Sequence, residues 1–294
     1  KKIKQKQPFF AIFVYDTSTC TMKKILLCCS LFLIGLSSCK KKTQNNDLTA
    51  CQGNALAEMV YLDVYKQAQT YLGAFLEKKS PDDTAVIVTS TVDKNNITFP
   101  FILTVYYGGS DHLCSDGKYR RGALSLNVSA AAADTTIYSI NNVDISFSNY
   151  YLNQSNLLGT FTINNAGSTG QGNHLFNISV KEGFVINSNG TMSWNSNKVL
   201  EQTLGSTTPN NINDDEYLLT GSGSGKDFKG SDFEENIAAA CTIKANCRYF
   251  ITAGKISVEP INLDVRNCDY GVAPGSCTGQ VKVQIKEEEF NFSL

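Results

Sequence analysis

The sequence predicts a mainly β fold, an antiparallel meander, sandwich or barrel with one N-terminal helix in front of it. Three observations carry that expectation. From Ala85 onward apolar residues alternate with polar ones, as in Leu124, Leu126 and Val128, in Val143, Ile145 and Phe147, in Phe176, Ile178 and Val180, and in Val281, Val283 and Ile285. Period two marks half-buried antiparallel strands. Turn signals separate these runs at Gly108-Gly109, Asn164-Asn165-Ala166-Gly167, Asn189-Gly190 and Pro274-Gly275. One segment alone, 52–80, repeats its apolar residues at helical steps.

Taken in order, residues 1–21 hold no Met and read as upstream translation, with Met22 as the expected start. Residues 22–38 read as an export signal: Lys23-Lys24, an apolar run from Ile25 to Leu36, then Leu36-Ser37-Ser38-Cys39. The run is about a dozen residues, right for a signal h-region and too short to span a bilayer. The small residues before the cysteine resemble a lipobox, in which the thiol receives a diacylglyceryl group and the preceding peptide is cleaved. Cys39 is therefore the expected lipidation site. Two acyl chains anchor stably, at about 0.8 kcal/mol per buried CH₂.

Residues 39–51 form the expected lipidated tether. Lys40, Lys41 and Lys42 follow the cysteine where an Asp would signal inner-membrane retention in enterobacteria. Acidic residues there often mark surface lipoproteins of the Bacteroidota. The basic run points instead to an outer-membrane lipoprotein facing the periplasm.

The helix over 52–80 carries Leu56, Met59, Val60, Val64, Ala68, Leu72 and Phe75 on one stripe, with Tyr61, Tyr65 and Tyr71 beside it. A single stripe implies packing along one face, most simply on the β domain, with a partner's groove as the alternative. Pro81 disfavours a helical Ser80 and is expected to stop the helix there. The β domain takes 85–294, with roughly ten to twelve strands. Its two ends echo each other. Val105-Tyr106-Tyr107-Gly108 leads to Cys114 and a strand from Gly122, while Asp269-Tyr270-Gly271 leads to Cys277 and a strand from Gly279.

Composition bounds the partners. The chain has 294 residues, with 26 basic and 27 acidic. Removing 1–38 takes away six lysines and one aspartate and leaves a net charge of −6. That excludes a nucleic-acid partner, which needs a basic footprint. Of ten cysteines, six remain after the signal and the anchor: Cys51, Cys114, Cys241, Cys247, Cys268 and Cys277. An even count in an oxidising compartment reads as disulfides. Spacing favours Cys241 with Cys247 and Cys268 with Cys277, leaving Cys51 with Cys114 to tie helix to sheet. Cys247 with Cys277 is the rival pairing.

Motif tests return no catalytic residues, no cofactor and no metal, and an enzyme is not expected. Gly221-Ser-Gly-Ser-Gly-Lys226 lacks the phosphate-loop spacing and is followed by Asp227, so it reads as a hairpin or flexible turn. Asn211-x-Asn213-x-Asp215 starts like a calcium loop. It lacks the Gly at position six and has Ser222 at position twelve. It reads as a surface loop in which Asp214, Asp215 and Glu216 are the carboxylates a hard cation would favour. His112, beside Asp111, and His174 have no nucleophile elbow or His-Glu-x-x-His around them. In the pairs Tyr106-Tyr107 and Tyr150-Tyr151 one ring should face out. Tyr150 or Tyr151 with Trp194 would then offer stacking surfaces for a sugar, against the plainer reading of cross-strand packing.

With these pieces placed, the chain resembles a family of uncharacterised Bacteroidota lipoproteins. The resemblance rests on YYGGSDHLCSDGKYRRGALSLNV (106–128), ISFSNYYLN (145–153), LLGTFTINN (157–165), NGTMSWNSNKVLEQTLG (189–205), DDEYLLTGSGSG (214–225), CRYFITAGKISVEP (247–260) and CDYGVAPGSCTGQVKVQI (268–285). It covers about two-thirds of the chain, and its specificity lies in the order of the blocks. Here Asn189 stands in the tryptophan block where the family has Asp, no cysteine lies between Ala85 and Ser90, and Cys241 is extra. The resemblance implies an envelope address and no particular activity. The expected role is a lipid-anchored, non-catalytic binding or structural protein whose partners are the membrane and a glycan or envelope protein. The alternative is a carbohydrate-binding accessory lipoprotein of a glycan-uptake system.

Overall fold

Fourteen strands and one long helix are present in the computed structural model, which describes residues 46–130, 136–271 and 275–294, all within the unit Asn45–Leu294. Cys39, the export segment and most of the tether lie outside the described residues. Helix α1 runs Thr49–Leu76. The strands are β1 (Ile87–Ser90), β2 (Phe101–Tyr106), β3 (His112–Leu113), β4 (Tyr119–Ala130), β5 (Ile140–Leu152), β6 (Ser155–Ser168) and β7 (His174–Asn187). They continue as β8 (Gly190–Leu204), β9 (Glu216–Lys226), β10 (Asp232–Lys244), β11 (Ile251–Pro260), β12 (Arg266–Asp269), β13 (Gln280–Ile285) and β14 (Glu288–Ser293). All pair antiparallel in one sheet in chain order, with the two-residue β3 pairing beside β2 on β4. Of the expected architectures, this is the meander.

The alternating positions face the core as their period requires. Leu124, Leu126, Ile145, Ile256, Val258, Val281 and Val283 are fully buried. Two expected turns lie inside strands instead. Asn164–Gly167 belongs to β6, and the chain reverses at Thr169–Asn173. The Gly-Ser run 221–225 belongs to β9, paired on both sides by β8 and β10, and the turn falls at Asp227–Ser231. Glycine content suggested flexibility, but ladder partners on both edges hold these segments extended. The echoed hairpins β2–β4 and β12–β13 lie near opposite ends of the strand order.

Helix α1 starts and stops away from the expected limits. The Asp47 carboxylate accepts the Thr49 N–H at 2.9 Å, so helix begins at Thr49 and takes in Cys51 from the expected tether. At the other end Lys78 adopts φ 62°, its N–H bonds Phe75 O and the Lys79 N–H bonds Ala74 O. That is a Schellman closure, which ends the helix at Leu76, before Pro81 acts.

The larger correction concerns the helix surface. Of its 28 residues 21 are buried, so the single-stripe expectation fails. Tyr61 and Asp63 are about 200° apart on the helical wheel. Tyr61 stacks on Trp194 of β8 at 5.4 Å between ring centroids, while Asp63 meets Arg120 of β4 at 2.7 Å. Phe75 packs on Phe101 of β2, Tyr65 on Phe176 of β7 and Tyr217 of β9. The meander therefore curls around the helix and covers it from opposite sides. Burying each large apolar side chain there contributes about 1.5–3 kcal/mol.

Curling a sheet needs local kinks, and bulges provide them. Register shifts interrupt the β4–β5, β5–β6, β6–β7, β7–β8, β9–β10 and β10–β11 ladders. At Gly159 φ is +108° and a Cβ would lie 2.6 Å from Glu182 O on β7. Only glycine allows that approach.

The cysteines pair differently from the favoured spacing. The rival bond, Cys247–Cys277, is the disulfide, with Cα atoms 5.3 Å apart. It ties the β10–β11 connection to the segment before β13. Cys241 and Cys268 are free and point into the core from β10 and β12, which removes the Cys241–Cys247 and Cys268–Cys277 pairings. Cys51 sits in the first turn of α1, whereas Cys114 lies beside Tyr71, about 30 Å further along the axis. Those two cannot bond. Cys51 instead lies beside Cys268, and that neighbouring thiol together with burial raises the Cys268 pKa well above normal.

Candidate functional site

The expected stacking residues do not form a surface. Trp194 is 2 % exposed, and its indole N–H donates to Asn54 Oδ1 at 3.0 Å. Tyr150 is fully buried against Phe147 and Tyr107. On β8 the inward positions are Met192, Trp194, Ser196, Lys198 and Leu200, so strand parity carries the indole into the core. Tyr151 does face outward, but the Arg121 guanidinium covers its ring at 3.5 Å. Arg121 in turn holds Asp111 at 2.6 Å.

The calcium-like stretch does not converge either. Asp214 accepts from the Thr208 hydroxyl, Glu216 pairs with Lys244 at 2.7 Å, and Asp215 turns inward to accept the Tyr217 hydroxyl. Burial pushes the Asp215 carboxyl up to about 6. His174 stacks on Tyr138, and burial lowers its pKa.

Two buried charge clusters line α1, and sequence reading assigned neither. Asp63, fully buried, takes Lys118 at 2.8 Å and the Arg120 guanidinium through both carboxylate oxygens; Arg120 also grips Asp116 with two bonds. On another side Glu58 and Glu235 flank Lys198, with Glu235 2.8 Å away and Glu58 in direct hydrogen bond. Burial lowers the Lys198 pKa, and the Glu235 carboxylate opposes it. Buried ions persist only when paired. These clusters tie the helix to β4, β8 and β10.

Two of the accessible regions gather polar side chains. The first is a cleft of about 450 Å³ at the C-terminal end of α1, lined by Lys66, Tyr71, Asp83, Cys114, Asp116 and Arg120 among others. At its mouth His112 Nε2 lies 2.8 Å from Asp83 Oδ2. Cys114 joins them, so that one ligand atom from each of Asp83, His112 and Cys114 falls within 4.8 Å of the others. His112 thus pairs with Asp83, not with its sequence neighbour Asp111. Burial pushes the Cys114 thiol up, with the nearby Arg120 opposing. That direction is opposite to the lowered pKa that activates a cysteine nucleophile.

The second is a groove on the outer face of β8–β11. It consists of two adjoining hollows of about 590 and 390 Å³ that share Asn195, Ser224, Glu234 and Glu259. Ser222 and Ser224 of β9 point outward between the longer side chains of β8 and β10, and their small size leaves the trough. The alternate positions, Gly221, Gly223 and Gly225, face inward. A Cβ at Gly223 would lie 2.6 Å from Glu235 Oε1, so glycine lets β9 pass over the Lys198 cluster. Exposed Ile261, Leu263 and Val265 form an apolar rim.

No family model, no curated protein and no solved structure matches this chain.

Proposed function

We propose that this chain is a lipid-anchored protein of the bacterial cell envelope with a non-catalytic binding or structural role, held at the outer membrane and facing the periplasm. The observation that carries the address is the order Lys23-Lys24, short apolar run, Leu36-Ser37-Ser38-Cys39, ahead of the helix and the β domain. The Cys247–Cys277 disulfide supports an oxidising compartment. The lysines 40–42 would rest on anionic headgroups at about 1 kcal/mol each. Metabolic labelling with a fatty-acid probe tests the anchor. Label on the native chain and its loss, with release from membranes, in Cys39→Ala is the expected result. An unlabelled chain, or a Cys39→Ala variant equally membrane-bound, overturns it.

The outer groove favours a glycan as the ligand. Its hydroxyl, amide and carboxylate side chains match a ligand rich in hydroxyls, and the apolar rim at Ile261 and Leu263 suits the C–H face of a sugar. The inward Trp194 and Tyr150 take no part in this reading. A glycan array with the whole protein is the test. Saturable binding that falls by about tenfold or more when Ser224→Tyr fills the trough is expected, a loss of about 1.4 kcal/mol. Binding unchanged by that substitution, or no binding to any glycan, removes the groove from the proposal while leaving the anchor standing.

A further inference from the structure

Spacing along the chain gave no reason to expect a metal. There is no Cys-x-x-Cys in the β domain, and His112 is isolated from other histidines. The fold changes this by bringing Asp83, from the segment after α1, against the β3–β4 turn. From the convergence of three different donor types at the mouth of an open cleft, we propose that Asp83, His112 and Cys114 form a binding site for a zinc-class divalent metal ion.

The donor set fits that class. One thiolate, one imidazole and one carboxylate suit a borderline-soft cation with tetrahedral preference, and hard cations would demand more oxygens. Around tetrahedral zinc, with bonds of about 2.0–2.3 Å, neighbouring ligand atoms stand about 3.3–3.6 Å apart. Here His112 Nε2 and Asp83 Oδ2 are 2.8 Å apart, and the whole triplet spans no more than 4.8 Å. The ion would thus replace the His112–Asp83 hydrogen bond by wedging it open about 0.5 Å, and the sulfur would close by at most about 1.2 Å. Exposure is graded suitably, with Cys114 buried and His112 and Asp83 partly open at side-chain values of 27 % and 16 %.

The turn that carries the ligands is well held. The Cys114 N–H bonds Lys118 O at 2.9 Å and the Gly117 N–H bonds Cys114 O at 2.9 Å. Asp83 is held by the Ala85 N–H on its other oxygen at 3.1 Å. The nearest fixed cation, Arg120, is already matched by Asp63 and Asp116, which limits its repulsion of a metal. Binding exchanges the Cys114 S–H proton for the metal–sulfur bond, and that proton leaves to solvent. Three protein ligands would leave a fourth position open, and Asp83 and Cys114 both line the cleft. Open sites of this kind hold water or a ligand there, whereas closed structural sites use four protein donors.

Co²⁺ titration of the full, disulfide-intact chain tests the site. Tetrahedral Co²⁺ gives visible bands, and a bound thiolate adds a near-ultraviolet charge-transfer band. The expected result is both features saturating at one ion per chain and displaced by Zn²⁺. Cys114→Ser should abolish the charge-transfer band, and His112→Gln should weaken binding by more than about tenfold, the lower bound even for outer-shell partners. Cys241→Ser should leave the spectrum intact. If Cys114→Ser does not fold, Asp83→Asn replaces it, with the same weakening expected as for His112→Gln. A native chain that shows neither feature at millimolar Co²⁺ overturns the proposal, as does a spectrum unaltered in Cys114→Ser or in Asp83→Asn.

Discussion

Replacing Asp215 with asparagine is expected to destabilise the fold by about 1 kcal/mol near pH 4 and to stabilise it by about 2 kcal/mol at pH 7, relative to the native chain. Asp215 is 3 % exposed at the start of β9. It accepts the Tyr217 hydroxyl, and the groups acting on it supply no cation. Burial pushes its carboxyl from an ordinary 3.8 up to about 6. A carboxyl whose folded pKa is raised holds its proton longer in the folded state than in the unfolded one. Stability is therefore full below about 3.8, falls as pH rises through the window to about 6, and is flat above it. At 1.36 kcal/mol per pH unit, that window costs about 3 kcal/mol. Asparagine keeps an acceptor for Tyr217 and cannot ionise. An unpartnered amide N–H in its place costs about 1 kcal/mol at every pH. The quantity to read is thus the change with pH in the stability difference between variant and native chain. Urea unfolding followed by fluorescence suits the assay, because the single tryptophan, Trp194, is buried against Tyr61. The difference should grow by about 3 kcal/mol in favour of Asp215→Asn between pH 4 and pH 7. A difference constant over that range would refute the assignment of a neutral, buried carboxyl at this site.

Three other substitutions probe the framework. Lys198→Met should cost about 3–5 kcal/mol in the same unfolding assay, because it strands Glu58 and Glu235, each 2 % exposed, without their shared cation; adding Glu58→Gln and Glu235→Gln should recover most of the loss. Lys78→Gly should stabilise by about 0.5–1 kcal/mol, since Lys78 sits at φ 62° in the helix closure where glycine carries no Cβ penalty. Gly159→Ala should act in the opposite direction, losing more than about 1 kcal/mol, because its φ is +108° and the new methyl meets Glu182 O.

Much of the architecture was legible locally. Alternation in Leu124–Val128 and Val281–Ile285 marked strands because every second side chain must leave water. The Asn189-Gly190 turn signal fell where β7 passes to β8, with Gly190 at φ 120°. Polarity misled where a charge was buried with its partner. Glu58 and Asp63 are not part of the apolar stripe, yet Lys198 and Arg120 come from strands far along the chain to meet them. The same non-local pairing hid the orientation of Trp194. Ser196 and Lys198 share its face, so hydropathy along β8 did not reveal which side was inward. Asp83 and His112 are 29 positions apart, and no local pattern joins them.

The chain's own order of residues determined the periods and the main helix and strands, because steric preference and side-chain spacing act over a few residues. The curl of the meander around α1, the Cys247–Cys277 bond, the outer groove and the Asp83–His112–Cys114 convergence were decided only in three dimensions. Each depends on which backbone ladder registers with which and on charges that are stable in the core only once a distant strand has brought the opposite sign beside them.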